Sequence, residues 1–336
     1  MGPHPAVAAI RLAVRHELVD VGKHPVVVAC SGGADSLALL AATLFEARKT
    51  KWRVVGVSVD HGLQEGSADR AGQVVEQMRG LGVNDAISLR VDVTPTGQGP
   101  EAAARDARYA ALGQAAQRIG SDVILLGHTL DDQAETMLLG LTRGSGGRAI
   151  GGMRSGPAPY RRPLLRITRA QTEAACAAEG IEVWRDPHNK DPAFTRARIR
   201  HRVLPVMEAE LPGVAVSLAR TAELLQQDLD ALEEIVAGVR AQVTTRDGGI
   251  DAPALETQPV AISSRVLRGA AIRAGSPPSE LFRVHVDALV DLMCGSHRSG
   301  AAKLVELPGH VTAYRDGGTL RFRRTGGRAP ETAVGG

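Results

Sequence analysis

Short apolar runs alternate with amphipathic stretches over the first 130 residues of the chain. The apolar runs lie at 26–30, 54–60, 86–93 and 122–128. Because these runs are apolar at almost every position, they are typical of strands buried on both faces of a parallel sheet. The spacing of apolar residues between them predicts helices over 37–48, 68–81, 101–119 and 131–141. This βαβα order predicts an α/β fold with a doubly wound parallel sheet and right-handed crossovers.

The pattern changes in the middle of the chain. Residues 143–170 are rich in Gly, Arg and Pro and predict a long loop. A short helix over 171–180 and an edge strand over 181–184 are predicted to follow. From about residue 206 the apolar residues recur at helical spacing over longer stretches, most clearly over 214–240. A second, smaller and mostly helical domain is therefore predicted to begin close to that point.

The C-terminal part adds a further helix and a β segment. Residues 280–294 have helical periodicity, and residues 303–324 predict two short strands about the turn Asp316-Gly317-Gly318. The polar, Gly-rich residues at the end predict a disordered tail. The predicted divisions are an α/β domain over 1–208, a helical domain over 209–300, a terminal β segment over 301–324 and the tail over 325–336.

Composition limits the classes of protein to which the chain can belong. Its 336 residues suffice for about two domains of roughly 150 residues each. No apolar run approaches the ~20 residues of a membrane helix, and charged residues interrupt the apolar N-terminal stretch, which argues against a signal peptide. The three cysteines, Cys30, Cys176 and Cys294, are too dispersed for a disulfide framework, a structural zinc site or an Fe–S cluster. We therefore expect a cytoplasmic protein that does not associate with a membrane.

The net charge of +3 conceals an uneven distribution. Residues 140–220 contain 14 Lys and Arg against 7 Asp and Glu, so the rest of the chain carries a net charge of −4. A neutral or acidic protein with one basic segment is typical of a protein that binds a polyanion such as a nucleic acid.

The strongest chemical signal follows the first predicted strand. It is the sequence SGGADS, which consists of Ser31, Gly32, Gly33, Ala34, Asp35 and Ser36. Glycines allow a tight turn and a close approach of backbone N–H groups to a phosphate, and the N-terminus of the next helix favours an anion. The motif lacks the lysine of a Walker A loop. We interpret residues 31–36 as a phosphate loop rather than an ordinary strand–turn–helix corner.

A second polar segment, GHTLDDQAET at 127–136, follows the fourth predicted strand. Ligands of a doubly wound sheet bind at the carboxyl ends of its strands, so this segment and the phosphate loop are predicted to converge. Asp132 and Glu135 are three residues apart and share a helix face. Since Mg²⁺ takes one or two carboxylates beside phosphate oxygens, Asp35 and Asp132 are its predicted ligands. The alternative is that the acidic residues, Asp131 above all, only cap the helix.

Further residues at the same edge are predicted to contact a nucleotide. His128 orients a phosphate, contacts a base or caps the helix. Asp60 and His61 end the second predicted strand, where an adenosine ring or its ribose fits. Arg108, in the helix over 101–119, either reaches phosphates or faces solvent.

Arginines of the basic segment form a third group. The segment FTRARIRHRVLP places Arg196, Arg198 and Arg200 at every second position, and Arg143 opens the Gly/Arg loop. Guanidinium groups suit bidentate contacts with phosphates. The alternative is a solvated basic face, but the Gly- and Arg-rich loop nearby favours binding of phosphates.

Taken together, these segments resemble the tRNA(Ile)-lysidine synthetases, a family of the ATP pyrophosphatase or PP-loop group. The resemblance covers about 26–205 and includes SGGADS, DHGL, EAAARDARY, GHTLDDQAET, RGSGGRAIGGM, RRPLL, WRDPHNKD and FTRARIRHRVLP, in that order. SGGADS alone marks the broad group, and the later motifs narrow it to this family. One departure is Ala197, where the family usually has Asn, which leaves Arg198 and Arg200 as the better-matched arginines.

The resemblance implies a PP-loop catalytic domain and a two-step reaction. ATP adenylates the C2 carbonyl oxygen of the wobble cytidine in the CAU anticodon of tRNA(Ile), and free L-lysine then attacks C2 and displaces AMP. Codon reading changes from AUG to AUA. The resemblance further implies Mg²⁺, a homodimer, and Asp35, Asp132 and Arg198 as catalytic residues.

Two other functions compete with this interpretation. A thiolating or amidating PP-loop enzyme needs sulfur-carrying cysteines or a source of ammonia, and the dispersed cysteines and the lack of a glutaminase signature argue against both. A non-catalytic tRNA-binding homologue predicts losses in the phosphate loop or the carboxylates, and the sequence has none.

Overall fold

The computed structural model describes residues 2–60, 62, 66–91, 100–143, 146–156, 159–184, 191–295 and 304–325. The chain divides into two compact units, Met1–Gln226 and Gln227–Gly336. This division falls inside the helix Val214–Val243, whereas the domain boundary predicted from the sequence lies near residue 208 and stays a prediction. The predicted disordered tail lies, apart from Thr325, outside the described residues.

The first unit is built on a parallel sheet, which confirms the predicted fold class. Its described strands are β1 Val26–Ala29, β2 Val54–Asp60, β3 Asp85–Arg90, β4 Val123–Leu125 and β5 Tyr160–Arg161. They lie in the order β3-β2-β1-β4-β5, and each neighbouring pair is parallel. Because the strand order reverses direction at β1, the carboxyl ends of β1 and β4 form the edge where such sheets bind ligands.

Helices flank both faces of this sheet. The described helices of this unit are, in chain order, α1 Pro5–Glu17, α2 Ala34–Thr50, α3 Ser67–Leu81, α4 Pro100–Ile119, α5 Leu130–Thr142, α6 Gly147–Ile150, α7 Arg169–Ala178, α8 Thr195–Arg198 and α9 Leu204–Glu210, followed by α10 Val214–Val243, in which the division between the two units falls. A π-helical turn, Ile199–Val203, joins α8 to α9.

The uninterrupted apolar pattern of β1 follows from burial on both faces. Val26 and Val28 belong to a core that includes residues of α1, α2 and α7. Val27 and Ala29 belong to a second core, which includes Leu112 of α4. Each face of the strand therefore requires apolar side chains, and a period of two is absent from its sequence.

Two local predictions in this unit are wrong. Residues 181–184 are not a strand: the backbone N–H of Trp184 donates to the Gly32 carbonyl oxygen at 3.1 Å instead of to a neighbouring strand. The stretch 143–170 is not entirely loop, because it contains α6 and β5, and β5 occupies the sheet position beside β4. β5 pairs with β4 at the end of the sheet, and among the described residues 181–184 pairs with no strand.

The second unit combines helices with an antiparallel sheet. Besides the end of α10, its described elements are α11 Ala252–Glu256, α12 Val260–Arg273, α13 Arg283–Cys294, β6 Ile250–Asp251, β7 Leu304–Leu307, β8 Val311–Asp316 and β9 Thr319–Arg324. The sheet order is β6-β9-β8-β7. β8 and β9 confirm the predicted hairpin, and β6 and β7 extend it. In the part of the chain that is described, no helix is sufficiently long and apolar to cross a membrane.

Gly140 in α5 provides a test of the packing in the first unit. A Cβ atom at this position would lie 2.4 Å from the carbonyl oxygen of Ala149 in α6. We expect Gly140→Ala to lower the free energy of unfolding by about 2 kcal/mol, a typical cost of overpacking, in urea denaturation. Gly238→Ala is the matched control: no atom lies within 4 Å of its Cβ position in α10, so helix propensity should raise stability by about 0.5–1 kcal/mol. Equal effects of the two substitutions would contradict the prediction.

Candidate active site

The phosphate loop connects β1 to α2, as its sequence predicts. The Ser36 hydroxyl accepts a hydrogen bond from the Ser31 backbone N–H at 3.2 Å and donates to the Gly33 carbonyl oxygen at 2.9 Å. Gly32 has a φ of 81°, a conformation that favours glycine. Ser36 therefore closes the turn by hydrogen bonding. The helix α2 begins at Ala34, within the same loop sequence.

The end of β4 touches this loop. A Cβ atom at Gly127 would lie 3.1 Å from the carbonyl carbon of Asp35 and from the Cα atom of Ser36. Glycine thus allows the backbone after β4 to lie directly against the start of α2. The structure brings together the two segments that the sequence predicts to converge.

Three arginines meet two buried carboxylates beside the loop. One oxygen of Asp132, Oδ1, accepts hydrogen bonds from the Nη2 atoms of Arg169, Arg196 and Arg200 at 3.1, 3.3 and 2.9 Å. Glu135 has a side-chain exposure of 0%. It accepts from Arg200 Nε at 2.7 Å and from Arg196 Nε at 2.8 Å. We name these five residues the ion cluster.

The acidic residues of α5 also cap helices, so the capping alternative holds beside the ionic one. Asp132 Oδ2 accepts the backbone N–H of Thr129 at 2.8 Å, which forms a capping box at the start of α5. Asp131 Oδ2 accepts the backbone N–H of Arg169 at 2.7 Å, at the start of α7. The N-termini of α5 and α7 are therefore fastened to each other by the same run of carboxylates.

Asp35 stands apart from the ion cluster. Its Oδ1 accepts a hydrogen bond from the Thr172 hydroxyl, and its Oδ2 lies 3.6 Å from Arg169 Nε. Burial raises the pKa of Asp35 to about 6, against the opposing effects of Thr172 and Arg169. Burial would also raise the pKa of Asp132, but the three arginines outweigh it and the pKa lies below the usual value.

These surroundings distinguish the two predicted Mg²⁺ ligands. Both oxygens of Asp132 already accept hydrogen bonds, three of which come from cationic guanidinium groups. This carboxylate is therefore poorly suited to binding a metal cation. Asp35 suits one better, because its Oδ2 has only a longer contact with Arg169. Among the described residues, no group of three or more His, Cys, Asp and Glu side chains is arranged to hold a metal.

Two other predicted nucleotide contacts are half-buried and form no ion pair with a described residue. Partial burial lowers the pKa of the Arg108 guanidinium. Burial, together with the charges of Arg108, Arg162 and Arg196, lowers the pKa of His128 to about 3, so its imidazole is neutral. The Nδ1 atom of His128 is itself buried and has no hydrogen-bond partner among the described residues. Both groups are suited to a polar or anionic ligand.

The remaining predicted residues divide into three cases. Asp60 is buried at the end of β2, and its Oδ1 accepts the Gly62 backbone N–H at 2.9 Å, while His61 lies outside the described residues. Arg143 is exposed at the opposite end of α5 from the ion cluster. Arg198 is not in the ion cluster, because it donates to the carbonyl oxygens of Pro192 and Ala193 instead.

Arg169, the member of the ion cluster that also contacts Asp35, was not predicted from the sequence. One signal for it was present. Thr168 and Gln171 form a capping box at the start of α7, which places Arg169 in the first helical position. A cation there opposes the helix dipole, so it indicates a specific partner.

Comparison with known proteins agrees with this geometry. Residues 8–207 match the PP-loop domain family. A tRNA(Ile)-lysidine synthase of Streptomyces coelicolor is 47% identical over 96% of this chain and 100% of that protein. This chain belongs to the tRNA(Ile)-lysidine synthase family. Relatives of the same name from Salinispora arenicola and Thermobifida fusca are 49% and 47% identical and cover 94% and 95% of this chain, and 96% and 98% of their own lengths.

Among solved structures, the U34-tRNA thiolase NcsA of Methanococcus maripaludis has a similar fold. The TM-score is 0.54 at 19% identity, covering 66% of this chain and 80% of that one. At this identity the likeness concerns the fold alone. In the present chain Cys30 and Cys176 are buried and burial raises the pKa of both thiols, so neither is suited to sulfur transfer, while the third cysteine, Cys294, is exposed in the second unit.

The ion cluster predicts a large effect of removing Glu135. Glu135→Ala leaves Arg196 and Arg200 without their closest carboxylate, and breaking a buried ion pair costs about 3 kcal/mol or more. We expect the free energy of unfolding to fall by about that amount in urea denaturation. The matched control is Glu76→Ala, which removes an exposed ion pair with Arg79 and should cost less than ~0.5 kcal/mol. A similar small loss for both variants would contradict the structural role of the cluster.

The raised pKa of Asp35 predicts a stability that depends on pH. The folded chain holds this proton more tightly than the unfolded chain, so the ionised carboxylate opposes folding above about pH 6 and does not below the ordinary pKa of 3.8. Asp35→Asn should therefore raise the free energy of unfolding by about 2 kcal/mol at pH 8 and by little at pH 4. Asp122→Asn, at a carboxylate that is 83% exposed, should have little effect at either pH. A gain for Asp35→Asn that is equal at both values would contradict the prediction.

Proposed function

We propose that the chain attaches free L-lysine to C2 of the wobble cytidine of tRNA(Ile) with a CAU anticodon, at the expense of ATP. The observation that carries this proposal is the contact between the phosphate loop and the start of the GHTLDDQAET segment at Gly127, in a member of this enzyme family. It supports a single site that combines phosphate binding with buried charged groups.

The first step is adenylation of the cytidine. The C2 carbonyl oxygen bonds to the α-phosphorus of ATP, the bond from that phosphorus to the bridging oxygen of the β-phosphate breaks, and pyrophosphate leaves with the electron pair. Negative charge grows on the leaving group, which backbone N–H groups of the phosphate loop and the N-terminus of α2 stabilise. Arg108, which is half-buried and forms no ion pair with a described residue, supplies a further positive charge to an anionic group in the site.

The second step is attack by lysine. The ε-amino nitrogen bonds to C2, the C2–O bond breaks, AMP leaves with the electron pair of that bond, and the amine gives up a proton to solvent. Neutral His128 offers an imidazole whose Nδ1 has no hydrogen-bond partner among the described residues and can form a hydrogen bond with a base or a phosphate. The ion cluster holds α5, α7 and the 196–200 segment in place around the reacting groups.

Mg²⁺ would reach the site with the ATP phosphates. Asp35 would provide a carboxylate ligand, in keeping with the preference of Mg²⁺ for one or two carboxylates beside phosphate oxygens. The bound ion would neutralise part of the phosphate charge. In this proposal Asp132 organises the arginines rather than binding the metal.

The tRNA contacts and the assembly also remain proposals. The basic segment 140–220 supplies the charge that attracts the anticodon loop, and the exposed Arg143 and the half-buried Arg198 are suited to its phosphates. The homodimer is a prediction from the family resemblance, which light scattering of the purified protein tests.

The decisive experiment is incorporation of labelled L-lysine into tRNA(Ile). We expect incorporation and AMP release that depend on ATP and are lost when the wobble cytidine is replaced by uridine. No lysine-dependent AMP formation with the cognate tRNA would contradict the proposed function.

Two arginines of the same run separate the roles within the site. Arg200→Ala removes three hydrogen bonds of the ion cluster and should lower kcat for lysine incorporation by about a hundredfold, as is typical of losing a charged group of an active site. The Arg198 side chain donates, among the described residues, to Pro192, Ala193 and Thr195, so Arg198→Ala should raise the KM for tRNA with little change in kcat. Equal losses in kcat would contradict this division.

A further inference from the structure

A second group of cationic and polar side chains lies at the carboxyl ends of β4 and β5, outside the ion cluster. Arg162 follows β5 directly. Its Nη1 atom donates to the Arg154 carbonyl oxygen at 2.9 Å, and its Nη2 atom donates to the Tyr109 hydroxyl at 3.1 Å. Its Nε atom is buried and has no hydrogen-bond partner among the described residues. Both acceptors are neutral, so in the described ranges no carboxylate offsets the charge of Arg162.

Tyr109, in α4, is held as a hydrogen-bond donor beside Arg162. Its hydroxyl oxygen accepts from Arg162 and, at 3.4 Å, from Arg105 Nη2. The Tyr160 hydroxyl donates to the Tyr109 carbonyl oxygen at 2.6 Å, and the centroids of the two rings are 4.8 Å apart. A phenol that accepts from two guanidinium groups still has its own O–H to donate, and among the described residues no acceptor receives it. This O–H is suited to an anionic oxygen, because the cationic donors polarise it.

His128, at the end of β4, lies close to the same group. Burial, and then the nearby charges of Arg108 and Arg162, lower the pKa of its imidazole to about 3. Its Nδ1 atom, like the Nε atom of Arg162, is a buried polar atom without a hydrogen-bond partner in the described part of the chain. Such an atom costs about 1–3 kcal/mol unless something bonds to it. Two of them in one group indicate that the site receives a polar ligand.

The position of this group in the sheet separates it from the phosphate loop. β1, β4 and β5 are neighbours in that order, and the phosphate loop, His128 and Arg162 follow them respectively. Since neighbouring strands are about 4.8 Å apart, the backbone of Arg162 begins roughly 10 Å across the sheet from the loop. A nucleotide whose phosphates occupy the loop therefore leaves Arg162 to a second ligand, with His128 between the two.

The charge around Arg162 selects the class of that ligand. Residues 136–172 contain seven arginines and no Asp or Glu. Free L-lysine is a poor match, because its two ammonium groups need carboxylates that this segment lacks. A phosphodiester matches better, since it carries one negative charge, no positive charge, and oxygen atoms that accept from guanidinium and hydroxyl groups alike. The geometry thus favours the backbone of a nucleic acid.

We propose that Arg162 and Tyr109 bind a phosphodiester group that flanks the wobble cytidine, and that this contact places the cytosine at the end of β4 beside His128. The inference rests on the proposed function, because it takes tRNA(Ile) as the second ligand. Unlike the proposed contacts of Arg143 and Arg198, it concerns the one nucleotide that reacts.

Turnover of the full chain tests the two residues. Arg162→Met should raise the KM for tRNA(Ile) by about tenfold, the usual scale of one charge-assisted hydrogen bond, and leave the KM values for ATP and lysine unchanged. Arg162→Lys keeps the charge and should recover part of the loss. Tyr109→Phe keeps the ring contact with Tyr160 and should raise the KM for tRNA(Ile) several-fold. A raised KM for ATP or lysine, with that for tRNA(Ile) unchanged, would contradict the assignment.

The matched control is Arg118→Met. Arg118 is exposed in the last turn of α4, which leads into the opposite end of β4 from His128. This substitution removes the same charge from the same unit, so it should change none of the three KM values.

A neutral linkage in the RNA identifies the group that Arg162 contacts, without turnover. The probe is the anticodon stem-loop of tRNA(Ile) with a methylphosphonate at the phosphate before or after the wobble cytidine, and the readout is its dissociation constant. At one of these positions the wild-type chain should lose about tenfold in affinity. Arg162→Met should lose nothing there, because the contact is already absent. A methylphosphonate in the stem should affect both chains equally.

The outcomes separate this inference from the proposed function. No loss at either phosphate in the wild-type chain, or an equal loss in the wild-type chain and in folded Arg162→Met, would overturn the inference. Thermal unfolding checks that the variant is folded. A wild-type chain that loses affinity at one phosphate but incorporates no lysine would instead contradict the proposed function alone.

Discussion

The fully buried charge of Glu135 is the constraint on which the first unit depends. An ionised carboxylate inside a protein is stable only when cationic groups surround it. Arg169, Arg196 and Arg200 meet this need, and each follows Glu135 by more than thirty residues in the chain. The pairing therefore draws α7 and the turn after α8 against α5, beside the phosphate loop. The same ion pairs therefore stabilise the packing of these helices and place charged groups beside the phosphate loop.

The sheet was predictable because its central strands are buried on both faces. Burial of Val26, Val27 and Val28 against two separate cores leaves no polar position in β1, and such a run has few other interpretations. β5 was not predictable, because a strand of two residues has no periodicity. The apolar alternation of 181–184 has the appearance of a strand, but a strand needs a partner, and local sequence does not show that β5 occupies the edge.

The candidate site divides in the same way. The phosphate loop and the carboxylates of α5 are contiguous motifs, so their chemistry was legible in the sequence. The arginine partners depend on local conformation: in a helical segment Arg196 and Arg200 share a face, whereas Arg198 points elsewhere. Alternate spacing in the sequence cannot distinguish these residues. Arg169 was missed because its position is set by the capping box at the start of α7, and its carboxylate partners are more than thirty residues away in the sequence.

The hydroxyl of Ser36 and the backbone at Gly127 have a thermodynamic consequence for any ligand of the loop. The Ser36 hydroxyl forms hydrogen bonds within the turn, and the backbone at Gly127 packs against the start of α2, so the turn is ordered without a bound nucleotide. A loop that is ordered at the time of folding loses little conformational entropy on association, so the ligand does not have to organise it. More of the interaction energy between the loop and the phosphates is then available to stabilise the transition state, in which negative charge moves onto the leaving group. Rigidity at this corner is in that sense a kinetic property as well as a structural one.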